Sequence, residues 1–261
     1  MQFSEFGNME GKTLMLLPGT GCTWELNFKY VVEDLAKKFH IIGVNYDGFE
    51  TDPDIRTEFT DMLTITSKIE DYIRENHNGQ IDGAYGSSLG GSFVGLLFER
   101  NKIHINHGFI GSSDLDEGSK FVAWLATVTV GNIIENSMVN EKKFNRFKKL
   151  LTNGNKDEEK NRVMGDFLQM FSESIKQLAP GTLKKEFYSD YSTRLGKNID
   201  VENAKIHVIY ALGMGKKYEK RYRTHFKNPD IIKFDMNHEA WLFSKDASAP
   251  VLNRVIKEME D

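Results

Sequence analysis

The chain has 261 residues, of which 39% are hydrophobic and 28% charged, with a formal net charge of −4; this suits a globular protein with a sizeable core and leaves no basic footprint for nucleic acid. The single cysteine, Cys22, excludes an internal disulfide framework and fits a reducing compartment. Residues 1–11 are acidic and polar, so no secretory signal is expected, and the uncharged stretch 121–134, broken by threonines, falls short of the ~20 apolar residues of a membrane span; a cytoplasmic protein is the expectation.

Residues 1–6 read as an edge strand. Thr13–Leu17 is an apolar run, expected as a buried strand, that ends in the loop Pro18-Gly19-Thr20-Gly21. Trp24, Phe28, Val31, Val32, Leu35 and Phe39 stand at helical spacing and predict one helix over 24–39. A second buried strand over 41–45 stops at Asp47-Gly48. A helix is expected over 57–76, with Phe59, Leu63, Ile69 and Ile73 toward the core and Asn78-Gly79 at its end. Next come a strand over 81–85, a helix over 89–99 and a strand over 103–110 ending at Gly111-Ser112-Ser113-Asp114. Strands separated by single helices indicate a parallel sheet with right-handed crossovers.

The alternation then stops. Residues 115–201 contain no convincing strand but several amphipathic helices, the clearest over 158–178 with Val163, Phe167, Leu168, Phe171, Ile175 and Leu178 on one face; Asn153-Gly154-Asn155 and Pro180-Gly181 punctuate the stretch. An insertion of roughly 85 residues exceeds an ordinary loop and is expected to be an all-helical subdomain, 115–201, set into a core made of 1–114 and 202–261. The strand rhythm returns over 206–211, followed by a basic helix over 215–226, a strand over 231–234, the loop Met236-Asn237-His238-Glu239 and a final helix over 250–259.

Chemistry concentrates where the strand over 81–85 meets its helix. Gly86-Ser87-Ser88-Leu89-Gly90 has the G-x-S-x-G spacing of a nucleophile elbow, in which a serine on a strained strand-to-helix turn exposes its hydroxyl and a Cβ at either glycine would press on a neighbouring element. Serine needs a base. His238 is the candidate, because it follows the last strand at the edge where open α/β sheets bind ligands and comes after the serine in chain order.

These motifs resemble the α/β-hydrolase superfamily over roughly 14–110 and 206–252. The resemblance implies an α/β fold with a mostly parallel sheet, a helical lid formed by the insertion, a serine hydrolase acting on an ester, thioester or related small-molecule acyl substrate, and no cofactor or metal. Ser88 would be the nucleophile and His238 the base; the oxyanion would be held by the N–H of Leu89 and by that of Thr20, with Gly21 as second choice. Pro18 stands where many members carry a histidine. The acid departs from the pattern: the turn after 206–211 reaches no carboxylate before Glu219, so Asp114, with Asp116 nearby, is favoured over Glu219, and a dyad without an acid stays open. The same elbow and histidine also serve acyl transfer and carbon–carbon bond cleavage, and a non-catalytic ligand- or partner-binding protein of this fold is the alternative.

Simpler roles stand beside these. His104 and His107 face opposite sides of a strand and are not expected to share a metal. Cys22 reads as a small packed residue, and Lys216, Lys217, Lys220, Arg221 and Arg223 as a solvated helix face.

Overall fold

A computed structural model describes residues 1–113, 115, 140–152, 158–176, 178, 179 and 181–260. Strands β1 (Gln2–Gly7), β2 (Thr13–Leu17), β3 (His40–Asn45), β4 (Gln80–Ser87), β5 (His104–Gly111), β6 (Lys205–Ala211) and β7 (Asp230–Phe234) form one seven-stranded sheet in the order β1-β3-β2-β4-β5-β6-β7. Only β1 runs antiparallel to its neighbour. Every strand expected from the sequence is present, and all the parallel ones end on one edge.

The apolar runs follow from burial on both faces. In β2, Leu14 and Leu16 pack into one core cluster while Met15 and Leu17 pack into the other. Helices α3 (Met62–Asn76) and α4 (Leu89–Arg100) contribute to the cluster on the Met15 side. The other side is filled from α1 (Trp24–Asn27), α2 (Val32–Ala36) and α9 (Lys245–Glu260). Between β5 and β6 the described helices are α5 (Glu141–Thr152), α6 (Glu158–Ile175) and α7 (Thr182–Ser192); α8 (Lys217–His225) joins β6 to β7. Asp114, Asp116, 116–139, Asn153-Gly154-Asn155 and Pro180 lie outside the described residues. No helix among the described residues is long and apolar enough to cross a membrane.

Several boundaries differ from expectation. The single helix over 24–39 is two short ones, because the side chain of Asn27 turns inward to accept from Gly19 N–H (2.7 Å) and Phe28 and Val31 are then buried in the bend. The helix expected from 57 begins at Met62. Glu50 accepts from Thr57 Oγ1 (2.6 Å), which holds the preceding segment off helix, and Asp61 caps the new start by accepting from Thr64 N–H (2.9 Å). Leu63, expected toward the core, is 49% exposed. The last helix starts at Lys245, so Pro250 lies within it and removes one backbone donor. On α8, Lys216 just before it and Lys217, Lys220 and Arg223 within it are exposed, as a solvated face requires.

Candidate active site

Ser88 joins β4 to α4 with φ 50° and ψ −110°. A serine holds that backbone only under constraint, at a cost of ~1–3 kcal/mol. Ser88 N–H donates to Gly111 O (2.8 Å) and Gly91 N–H donates to Ser88 O (2.9 Å). A Cβ on Gly86 would run into the Gly90 carbonyl, and one on Gly90 would run into the Leu17 carbonyl. The glycine spacing of the motif is therefore a packing requirement, and it leaves the Ser88 side chain half-buried at the top of the sheet.

The loop after β2 lies against this turn, so close that a Cβ on Gly19 would stand 3.4 Å from Ser88 Cβ. Gly19 N–H donates to Asn27 Oδ1 (2.7 Å), Gly21 N–H to Glu186 Oε2 (2.9 Å) and Cys22 N–H to Gly19 O (3.1 Å), while Tyr46 O–H donates to Pro18 O (2.9 Å). Gly21, the second choice for the oxyanion donor, thus has its N–H committed. Those of Thr20 and of Leu89, at the start of α4, have no partner among the described residues. The free N–H groups and positive end of α4 favour negative charge at this point.

Glu186 is a contributor that sequence reasoning missed. It lies on α7 with no exposed surface, and burial, opposed by the Gly21 bond, pushes its pKa well above the carboxylate range. The available signal was its helical spacing with Thr182, Leu183 and Ser189, the buried face of α7. Phe171 of α6 fills the space over Gly21, and Cys22 is buried among Phe144, Leu168, Phe171, Ile175 and Leu183. Burial raises the Cys22 thiol to about 12, so this cysteine packs and does not react. Because burial raises the Glu186 pKa in the folded chain above its ordinary value in the unfolded one, stability is expected to fall, by up to ~1.4 kcal/mol per pH unit, as pH rises above the unfolded value. Thermal melts of Glu186→Gln should show a smaller loss between pH 4.5 and pH 8 than the parent chain, while Gln still accepts from Gly21.

His238 follows β7 on the same sheet edge as Ser88, with β5 and β6 between their strands. The loop that carries it crosses back over both. Glu239, the next residue, is buried with its Oε2 accepting from Tyr85 O–H of β4 (3.1 Å), and Ser87 stands beside it. The residue before Ser88 and the residue after His238 therefore meet. His238 leaves much of its own surface open, and the protein around the ring lowers its pKa to about 4 by desolvation. No hydrogen bond joins Ser88 Oγ to the His238 ring, and no carboxylate among the described residues bonds that ring.

Glu219 is committed elsewhere. Its carboxylate pairs with Lys233 (2.8 Å) and Arg223 (3.0 Å) on the outer side of α8, and those partners hold its pKa low. Asp114, between Ser113 and Leu115 in the sequence, lies outside the described residues. At the opposite edge of the sheet, His207 Nδ1 lies 3.3 Å from Asp230 and 3.6 Å from Glu258, a spacing that could admit a metal. Arg254 instead bridges both carboxylates at 3.3 and 2.7 Å, which makes the cluster an ion-pair network. His107 is buried with Nδ1 3.2 Å from His207 Nε2.

No protein-family model matches this chain, and no curated protein matches it. Solved structures do. An alpha/beta hydrolase family protein from Desulfitobacterium hafniense aligns over 100% of both chains with a TM-score of 0.73 at 16% identity. An esterase from Exiguobacterium antarcticum covers 99% of this chain and 95% of its own at TM-score 0.72 and 12% identity. MenH from S. aureus covers 99% of each at TM-score 0.69 and 12% identity.

Proposed function

This chain adopts the α/β-hydrolase fold, and on that fold we propose that it is a serine hydrolase of a small-molecule ester, thioester or related acyl bond. The supporting observation is the meeting of Glu239 with Tyr85 and Ser87, which brings the histidine loop to the strained serine turn. Ser88 Oγ attacks the acyl carbon as its proton passes to His238, and the N–H groups of Leu89 and Thr20 receive the oxyanion. His238 then protonates the leaving group. Water activated by His238 attacks the acyl carbon, releases the acid and restores Ser88. These steps need no metal. Asp114 is the proposed acid, and residues 115–201 the lid, whose described helices place Phe171 and Glu186 on the oxyanion loop. A reducing compartment, the cytoplasm, suits the lone buried Cys22.

A fluorophosphonate should add to the intact protein once, at Ser88. Labelling is expected to vanish in Ser88→Ala and to persist in Ser92→Ala, whose Oγ lies 3.2 Å from Ser113 Oγ. A folded chain that takes no label would refute the reading. The lack of a carboxylate on His238 among the described residues favours a second reading, a ligand-binding protein of this fold without turnover. Hydrolysis of short p-nitrophenyl esters above the Ser88→Ala background decides between the two.

A further inference from the structure

Glu239 has a left-handed backbone, φ 49°, which sends consecutive side chains in opposite directions: His238 to the open side and Glu239 beneath the sheet edge. Its Oε2 accepts from Tyr85 O–H (3.1 Å), and the same hydroxyl accepts from Trp241 Nε1 (3.1 Å). Gly111 passes so near that a Cβ there would stand 2.9 Å from Oε2. The hydroxyls of Ser87 and Ser112 stand close enough to favour the charged form, although Oε1 makes no well-aligned bond. Two non-glycine residues with positive φ, Ser112 (46°) and Glu239 (49°), thus flank or carry one carboxyl, and a third, Ser88 (50°), follows Ser87 directly.

We propose that Glu239 is a positioning residue: its buried carboxyl pins the histidine loop to β4 through Tyr85 and Ser87, and so holds the His238 imidazole at the sheet edge that carries Ser88. This rests on the serine–histidine reading for its catalytic consequence, but the placement of the ring can be read without turnover. An apolar side chain would fill the same space without the cost of burying an acid. What the carboxyl adds is a directional tie to a strand remote in sequence. Burial raises its pKa to about 7, with Tyr85 on β4, Tyr222 of α8 acting through Tyr85, and His238 on its own loop as the neighbouring titratable groups; Ser112 after β5 and Trp241 are neutral donors.

The test compares Glu239→Ala and Glu239→Gln by NMR titration of the His238 ring and by the rate of fluorophosphonate labelling, with thermal melts reporting folding. In Glu239→Ala the ring is released and the desolvation that lowers its pKa is lost, so its titration should move from the parent's value toward that of a solvated imidazole, and labelling should slow at least tenfold. Glu239→Gln keeps the acceptor for Tyr85 and should restore both, while removing any ionisation near pH 7 from the labelling profile. Should Glu239→Ala not fold, Tyr85→Phe removes the hydroxyl instead, and the same shift in His238 is expected. An unchanged His238 titration in a folded Glu239→Ala or Tyr85→Phe chain overturns the proposal. A parent chain that takes no label, but whose His238 moves as described, leaves the positioning role standing and removes the hydrolase reading alone.

Discussion

His238→Ala is expected to lower kcat/KM on an activated ester by about 10³- to 10⁴-fold while the chain stays folded, because the general-base help proposed for this ring and its orientation are lost together. The ring makes no hydrogen bond among the described residues, so its removal leaves no buried group unpaired. The pH profile of the parent chain carries further information. The base acts in its neutral form, and desolvation lowers the His238 pKa to about 4. With nothing else acting on the ring, kcat/KM should be level from about pH 5 to neutrality and fall about tenfold per unit below pH 4. A carboxylate at Nδ1 would favour imidazolium and move this acid limb upward, to 6.5 or beyond. In that case Asp114→Asn should return the limb toward 4, which identifies the acid, whereas Glu219→Gln should leave it in place because Lys233 and Arg223 already hold that carboxylate.

The parts of this fold that the sequence makes legible are those fixed by neighbours in the chain. Leu14 to Leu17 is apolar at every position because β2 is covered on both faces. Gly86 and Gly90 are set by contacts within the turn itself and with the adjoining loop. The less legible parts depend on distant partners. Asn27 looks like an ordinary helix residue until Gly19 N–H calls its side chain inward and ends α1. Thr57 sits in a helical pattern, yet Glu50 holds it in a segment without regular structure. Glu186 and Glu239 are buried carboxyls whose partners, Gly21 and Tyr85, lie 165 and 154 positions away. Composition gives charged residues a surface prior, so only the fold reveals that these two point inward. The candidate site follows the same division: the serine turn and the histidine loop were readable as local motifs, and the groups that hold them together were not.

Gly90→Ala is expected to be strongly destabilising. Its Cβ would enter the Leu17 carbonyl at the end of β2 and stand 3.0 Å from Pro18 O at the start of the loop, both backbone atoms, so no rotamer change can make room. Either α4 tilts away from β2 or the loop lifts, and overpacking against backbone costs about 3 kcal/mol or more. Gly165→Ala provides the contrast. It lies within α6, its new Cβ would meet only the flexible end of Lys148 at 3.2 Å, and alanine gains ~0.5–1 kcal/mol of helix propensity there. Urea unfolding should therefore show Gly90→Ala strongly destabilised and Gly165→Ala unchanged or more stable. Where Gly90→Ala still folds at low temperature, lifting the loop would displace Thr20, and the loss of this proposed oxyanion donor should lower kcat by about 10²- to 10³-fold with little change in KM. A Gly90→Ala chain with the stability and turnover of its parent would mean that the loop after β2 does not rest on the serine turn, and the assignment of Thr20 would fall with it.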